Sequence, residues 1–329
     1  MSAFGTVFCD DFVIAHYRDG AWQEPSIEPV APLQLHPAAH VLHYSSSCFE
    51  GFKAYRWGDG KARIFRLHDH VARMQKSAAS LCLPIPDADM LAQMVIDIVG
   101  NNIDEIPAPP SSLYLRPTLI GTLPNIGAAA APSHEATLYV LTSPVGDYFD
   151  GGARPLKLLI EDQKARSTEQ LGSTKTGGNY AAALGPTLAA KAEYGVDQVL
   201  FCPGGDVQET GAANFLLISD DEVITKALDT SFLHGMTRAS VLTLAAELGY
   251  KVSEREFTVD ELLQKIDTYE AALSGTAACL APVGTFVYKG EEITVRDGEP
   301  GPNAAKLRDA LQSIQYGNAP DTHGWLTEV

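Results

Sequence analysis

The sequence predicts two mixed α/β (α+β) domains, and three observations carry that prediction. The chain has 329 residues and 45% hydrophobic content, which is longer than one average domain and rich enough to bury two cores. Strand-like and helix-like periods alternate in both halves. Between the halves, Pro144–Gly152 collects turn formers. The boundary therefore falls near residue 145, with a smaller N-terminal domain over 1–144, a larger C-terminal domain over 145–329 and an interdomain loop at about 144–152.

In the first half, strands are expected around Thr6–His16, Gly51–Arg56, Ala62–Phe65, Ser112–Ile120 and Ala136–Ser143. Leu67, Val71, Met74, Ala78 and Leu81 recur at helical spacing and predict a helix from Leu67 to Leu81, and a second runs from about Ala88 to Val99. The second half reads as strand Leu156–Ile160, helix Asn179–Tyr194, a hairpin from Val199–Cys202 to Val207–Thr210, and strand Ala213–Ile218. Helix Thr237–Leu248, a short helix Asp260–Lys265, strand Tyr269–Leu273 and helix Pro302–Ile314 complete it. A chain of this kind places its ligand in the cleft between domains.

Charge narrows the function. With 24 basic and 41 acidic residues the net charge is -17, which disfavours a broad basic face for nucleic acid or an anionic membrane and points to small-molecule or protein partners. Five scattered cysteines, none in a Cys-x-x-Cys pair, argue against a disulfide framework or a zinc site. No secretory start and no membrane-length apolar run is present, so the expectation is a soluble protein of the cytoplasm. The nine histidines lack metal spacing, and neither a Gly-x-Ser-x-Gly elbow nor a dinucleotide Gly-x-Gly-x-x-Gly turn occurs; no metal is expected.

The first candidate for chemistry is Lys175, in Gly172-Ser173-Thr174-Lys175-Thr176-Gly177-Gly178-Asn179-Tyr180. A lysine amine beside small residues can form a Schiff base when its surroundings favour the free amine. Read alone, it is equally a solvated loop lysine. Glu209, followed by Gly211 and Ala212, is a carboxylate with room for a flat ring beside it, able to hold a protonated pyridine nitrogen, or an ordinary strand glutamate. Gly235-Met236-Thr237-Arg238 opens a helix and Ser274-Gly275-Thr276-Ala277 follows a strand; both suit phosphate and both resemble plain caps. Arg73 lies off the apolar stripe of its helix and can reach an anion. Strand period places Tyr114 and Arg116 on one face, where a phenol and a guanidinium form a carboxylate trap, or else an exposed face with a snorkelling arginine. Tyr44 and Phe49 can wall an apolar pocket or belong to the core.

Taken together these segments resemble the branched-chain amino acid aminotransferases, pyridoxal-phosphate enzymes of fold type IV. The resemblance spans nearly the whole chain: Phe4–Phe8, His43–Arg56 with Phe49-Glu50-Gly51-Phe52-Lys53-Ala54-Tyr55, Leu113–Gly121, Lys175–Tyr180, Glu209–Phe215, Gly235–Arg238, Ser274–Ala277 and Ile314–Gly317. It implies pyridoxal 5'-phosphate in the interdomain cleft, with Lys175 as Schiff-base anchor and proton shuttle. Glu209 would meet the pyridine nitrogen, Tyr180 the ring hydroxyl, and Leu233 the ring face. Arg73, Met236, Thr237 and Thr276 would hold the phosphate.

For substrate, the resemblance implies Tyr114 with the amides of Thr276 and Ala277 on the α-carboxylate, and Arg116 on the distal carboxylate of glutamate. Phe4, Tyr44, Phe49 and Tyr148 would wall the side-chain pocket. The implied activity is ping-pong transamination between leucine, isoleucine or valine and 2-oxoglutarate, in a homodimer. D-Amino acid or (R)-amine transamination and 4-amino-4-deoxychorismate cleavage belong to the same fold, and a non-catalytic metabolite-binding protein is the reading from another class. Tyr114-x-Arg116 and the aromatic stretch Tyr44–Phe52 favour the branched-chain assignment. Two departures from the pattern stand out: Arg166–Thr174 lacks the longer glycine-rich run and carries a charge, and Thr276–Pro282 lacks the thiol pair of mammalian members, which leaves Cys279 as a small buried hydrophobe.

Overall fold

The computed structural model describes residues 4–127, 130–146 and 154–329. Tyr148 and most of the expected interdomain loop lie outside the described residues. Contacts divide the chain into two compact units, Met1–Asp147 with Thr174–Gly177 and Ile314–Val329, and Tyr148–Ser173 with Gly178–Ser313. The sequence reading puts Lys175 in the second half of the chain; by its packing, the tetrapeptide around it belongs to the first unit.

The first unit contains β1 (Asp11–Arg18), β2 (Ala21–Trp22), β3 (Ser26–Pro29), α1 (His40–Tyr44), β4 (Ser47–Phe49), β5 (Phe52–Arg56), β6 (Ala62–Phe65), α2 (Leu67–Ser80), α3 (Ala88–Asn101), β7 (Ser112–Gly121) and β8 (Ala136–Val145). A nine-stranded sheet runs from the C-terminal strand Leu326–Glu328 through β6, β5, β7, β8 and β1 to β2, with β3 on β1 and β4 on β7. On β7 and β8 the period of two is clean. Leu113, Leu115, Leu119, Leu138 and Val140 enter one core with Met74, Leu91 and Val95 from the helices, while Tyr114, Arg116, Thr118, Tyr139 and Leu141 are only half-buried. Asp87 caps α3 by accepting the Met90 amide at 3.0 Å.

The second unit holds β9 (Leu156–Glu161), α4 (Gly177–Tyr194), β10 (Gln198–Phe201), β11 (Glu209–Thr210), β12 (Asn214–Ile218), β13 (Glu222–Thr225), α5 (Met236–Glu247), β14 (Lys251–Glu254), α6 (Val259–Lys265), β15 (Glu270–Gly275), β16 (Cys279–Tyr288), β17 (Glu291–Thr294) and α7 (Pro302–Gln315); the short tail strand is β18 (Leu326–Glu328). Its sheet follows the order β11-β10-β9-β16-β15-β12-β13-β14, with β17 on β16. Because β11 also pairs with β12, the strands from β10 round to β12 close on themselves. Leu158, Leu200, Phe215, Leu217, Phe257 and Phe286 fill that core. No helix among the described residues is long and apolar enough to cross a membrane.

Most expected elements form within a residue or two of their predicted bounds. The first strand differs: it begins at Asp11 rather than Thr6, because the preceding segment reaches β8 through single bonds, Cys9 N–H to the Thr142 carbonyl at 3.1 Å and Ser143 Oγ to the Val7 carbonyl at 2.5 Å, rather than a ladder. The ten-residue β16 was not anticipated; it contains Pro282 and Gly284, residues that ordinarily interrupt a strand. A register shift between Val283 and Thr285 accommodates them in the sheet.

Candidate active site

Lys175 is clamped through its backbone. Its amide donates to Ser77 Oγ of α2 at 3.1 Å, and its carbonyl accepts the Phe49 amide at 3.0 Å. Next to it, Thr176 Oγ1 donates to the Ser47 carbonyl at 2.8 Å, and Thr176 forms a bridge to Cys48. The tetrapeptide thus covers the edge of β4 not taken by β7. Lys175 Nζ stands 5.1 Å from the centre of the Phe49 ring.

Behind this strand lies a buried charge cluster. Glu50, 1% exposed, accepts Arg73 Nε at 2.7 Å and Nη2 at 2.8 Å, and His70 Nδ1 at 2.7 Å. Burial alone would raise the Glu50 carboxyl, but the Arg73 charge and hydrogen bond, helped by His70, hold it well below the usual carboxylate range. His70 is pushed down, first by burial and despite Glu50, with the nearby charges of Arg73 and Lys175 adding to the effect. The His70 ring stacks on Phe52, with centroids 4.4 Å apart. Glu50 takes the Nε–Nη2 edge of Arg73, so the Nη1 edge faces away from it.

A cavity of about 450 Å³ opens on the half-buried face of β7 and β8, lined by Phe4, Gly5, Phe8, Phe49, Tyr114, Arg116, Thr118, Tyr139, Leu141, Thr142 and Ser143. Arg116 lies between two aromatic rings, 4.7 Å from the Phe49 centroid and 5.2 Å from that of Tyr114, and its Nη2 donates to Tyr114 Oη at 2.9 Å. Arg116 Nε is buried without a hydrogen-bond partner, a donor in place for an incoming oxygen. Phe4 meets Tyr114 edge-on at 4.9 Å. Tyr114 also explains Gly51: a Cβ there would fall 2.0 Å from the phenol oxygen.

In the second unit, Glu209 is 2% exposed and held by three groups: it accepts the Leu233 amide at 2.9 Å and Asn214 Nδ2 at 3.1 Å, and it forms an ion pair with Arg166 Nε at 2.7 Å. Asn214 Nδ2 also donates to the Leu233 carbonyl at 2.8 Å, so Leu233 is fixed by its backbone to the same group. Arg166, one of two charged residues in the 166–174 loop that the sequence sets apart, is thus an internal partner of Glu209. Arg166 in turn donates to the Gly172 carbonyl at 3.0 Å, and a Cβ on Gly172 would lie 2.1 Å from the Ser231 backbone. Helix α5 starts after Gly235 without a side-chain cap, so backbone amides of its first turn, at Met236 and Thr237, suit an anion. Thr276 and Ala277 form the turn between β15 and β16, Cys279 follows at φ 57° and is buried, and Ser274 Oγ is a buried hydroxyl without a partner. Tyr180 sits half-buried in the first turn of α4.

Phe4, Phe49, Tyr114 and Arg116 are therefore brought to one cavity, as the sequence reading expects. Tyr44 is not in its lining: α1 ends at Ser45 in the left-handed region, and the Tyr44 hydroxyl donates to the Ile126 carbonyl with its ring 4.8 Å from His40. The sequence reading missed Phe8, Thr118, Tyr139 and Leu141. The signal for Thr118 was available, since it continues the period of Tyr114 and Arg116. Glu50 and Arg166 were also missed, because each gains its meaning from a partner 23 or 43 positions away. Among the described residues no acidic, histidine or cysteine cluster could hold a metal ion.

The Amino-transferase class IV profile matches residues 47–286. Branched-chain-amino-acid aminotransferase 2 of Bacillus subtilis is 38% identical, covering 99% of this chain and 92% of that protein. The branched-chain-amino-acid aminotransferase of Mycolicibacterium smegmatis is 37% identical with the same coverage. Among solved structures, the branched-chain amino acid aminotransferase of T.th. with pyridoxamine 5'-phosphate superposes with a TM-score of 0.80 at 28% identity, over 96% of this chain and 97% of that one.

Proposed function

The chain belongs to the class IV amino-transferases, and from that premise we propose that it transfers the amino group between branched-chain L-amino acids and 2-oxoglutarate with pyridoxal 5'-phosphate as cofactor. The observation that carries the reading is the shared wall: Phe49 lies under both Lys175 Nζ and the Arg116 guanidinium, so a lysine amine and a carboxylate-binding, aromatic-lined cavity meet at one ring. The donor set fits a phosphorylated pyridine, with a buried carboxylate for the ring nitrogen, an uncapped helix start for the phosphate and a buried arginine for its charge.

When bound, pyridoxal 5'-phosphate supplies an aldehyde that takes up the amino group and a ring that accepts electrons from the substrate Cα. Lys175 Nζ would hold it and, as a free amine, would serve as the base for the substrate Cα proton. Glu209 would pair with the ring nitrogen, Tyr180 with the ring hydroxyl, and Leu233 would pack on the ring face. Arg73, Met236, Thr237 and Thr276 would hold the phosphate. Tyr114 with the amides of Thr276 and Ala277 would take the α-carboxylate, Arg116 the distal carboxylate of glutamate, and Phe4 and Phe49 would exclude water from the aliphatic side chain. The reading further assigns a homodimer, and a cytoplasmic setting in which the five free thiols stay reduced.

The test is the visible spectrum of the purified protein before and after L-leucine, beside Lys175→Ala. The expected result is a cofactor band that shifts with L-leucine in the wild type and is absent, with turnover, in the variant. A variant that keeps the band and full turnover would sink the assignment of Lys175. A coupled assay on L-leucine, D-alanine and an (R)-arylalkylamine checks the substrate; inactivity on L-leucine with turnover of either other donor would transfer the chain to another activity of the fold.

A further inference from the structure

The cavity does not end at Arg116. One step along β7 and directly across on β8, Thr118 and Tyr139 are register partners, both half-buried and both in the cavity lining. The Arg116 charge acts on the phenol, and the Thr118 hydroxyl reaches the Arg116 carbonyl at 3.5 Å. Leu141, opposite Arg116, and Phe4 and Phe8 complete the surroundings. A pocket intended only for branched aliphatic chains has no use for two hydroxyls at its far end, since buried hydroxyls cost free energy unless bonded. A guest with a second carboxylate meets Arg116 Nε, which is buried without a hydrogen-bond partner, in the cavity that Tyr139 and Thr118 also line.

Resting on the proposed transaminase reading, we infer that Tyr139, seated by Thr118, is a specificity residue that joins Arg116 in binding the distal carboxylate of the dicarboxylate substrate. The two hydroxyls are further polar groups of the pocket, used by glutamate or 2-oxoglutarate and idle for leucine. Burial pushes the Tyr139 phenol up from its ordinary value, with Thr118 and the Arg116 charge opposing, so at neutral pH it is a donor.

The experiment measures, by calorimetry on the holoenzyme, the affinity for glutarate, a dicarboxylate without an amino group, and for 4-methylpentanoate, its monocarboxylate counterpart. Tyr139→Phe should weaken glutarate roughly tenfold, the worth of a hydrogen bond to a charged group, and 4-methylpentanoate less than twofold. Thr118→Val should follow the same pattern with a smaller loss. In an Arg116→Met background, Tyr139→Phe should add less than twofold to the glutarate loss, because both groups serve one carboxylate. Equal weakening of the two ligands, no weakening of glutarate, or a full tenfold loss persisting without Arg116 would each overturn the inference. Turnover of L-leucine with 2-oxoglutarate by the wild type is scored separately: its absence defeats the transaminase reading, whereas its presence beside an unselective Tyr139→Phe defeats only the role of Tyr139.

Discussion

Two buried arginine–carboxylate pairs, Glu50–Arg73 in the first unit and Arg166–Glu209 in the second, use the same chemistry in opposite directions. In the first, a carboxylate that is 1% exposed grips one edge of the guanidinium with two bonds, and His70 takes a third. Under the proposed function the carboxylate is the anchor and the arginine the working end. In the second, a single guanidinium nitrogen, a main-chain amide and a side-chain amide converge on the carboxylate, and under the same reading the arginine is the anchor and the glutamate the working end. An ion pair in the interior does not by itself reveal which partner acts. Both carboxylates take three donors, and they differ in how many the arginine supplies: two at Glu50 and one at Glu209.

The sharpest way to break this comparison is Glu50→Ala. It strands Arg73 in the interior, and removing one partner of a buried pair costs about 3–5 kcal/mol, read as the unfolding free energy in denaturant. The linkage has a definite sign: the Glu50 carboxyl is held below its unfolded value, so its contribution is complete above the unfolded pKa of ~4.3 and is lost as the pH falls below that. Wild-type stability should therefore drop on acidification below about pH 4, and Glu50→Gln should flatten that limb. An unchanged acid limb would show that Glu50 is not the anchor.

Glu209→Gln tests the other direction. If the glutamate is the working end, turnover should fall roughly 10- to 100-fold, corresponding to the ~1.5–3 kcal/mol of a charge-assisted hydrogen bond, while the melting temperature moves less than for Glu50→Ala. A variant with intact turnover and collapsed stability would make the two pairs alike. The smallest effect is expected for Gly172→Ala, which presses a methyl against the Ser231 backbone beside the carbonyl that Arg166 binds. A cost of about 1–3 kcal/mol for overpacking, with partial loss of turnover, would tie that loop to Glu209; a wild-type melting curve and turnover would detach it.

What was legible in the sequence follows from range. Period-two and period-3.6 signals are local, so β7, β8, α2 and α3 could be placed from their own residues, and Tyr114 and Arg116 were put on one face correctly. Glu50 stood within a motif used to recognise the family, yet nothing in Phe49-Glu50-Gly51 says that its partner is Arg73 on a later helix. The same holds for Arg166, since nothing in its own loop points to Glu209 as a partner. β16 stayed hidden for a different reason: Pro282 and Gly284 break a strand unless neighbours on both sides absorb the irregularity, as β15 and β9 do here.

The clamp on Lys175 also sets an order in time. Thr176 Oγ1 bonds to the Ser47 carbonyl across 129 positions, and the Lys175 amide reaches Ser77 across 98. At ~5–20 residues per second of synthesis, strand Ser47–Phe49 waits on the order of ten seconds with one edge uncovered before the ribosome delivers the segment that covers it. Until then that edge is open to any other extended chain. The proposed cofactor lysine thus also belongs to the segment that covers the free edge of a strand made long before it, and nascent chains cut short of it should aggregate more readily than chains that extend past it.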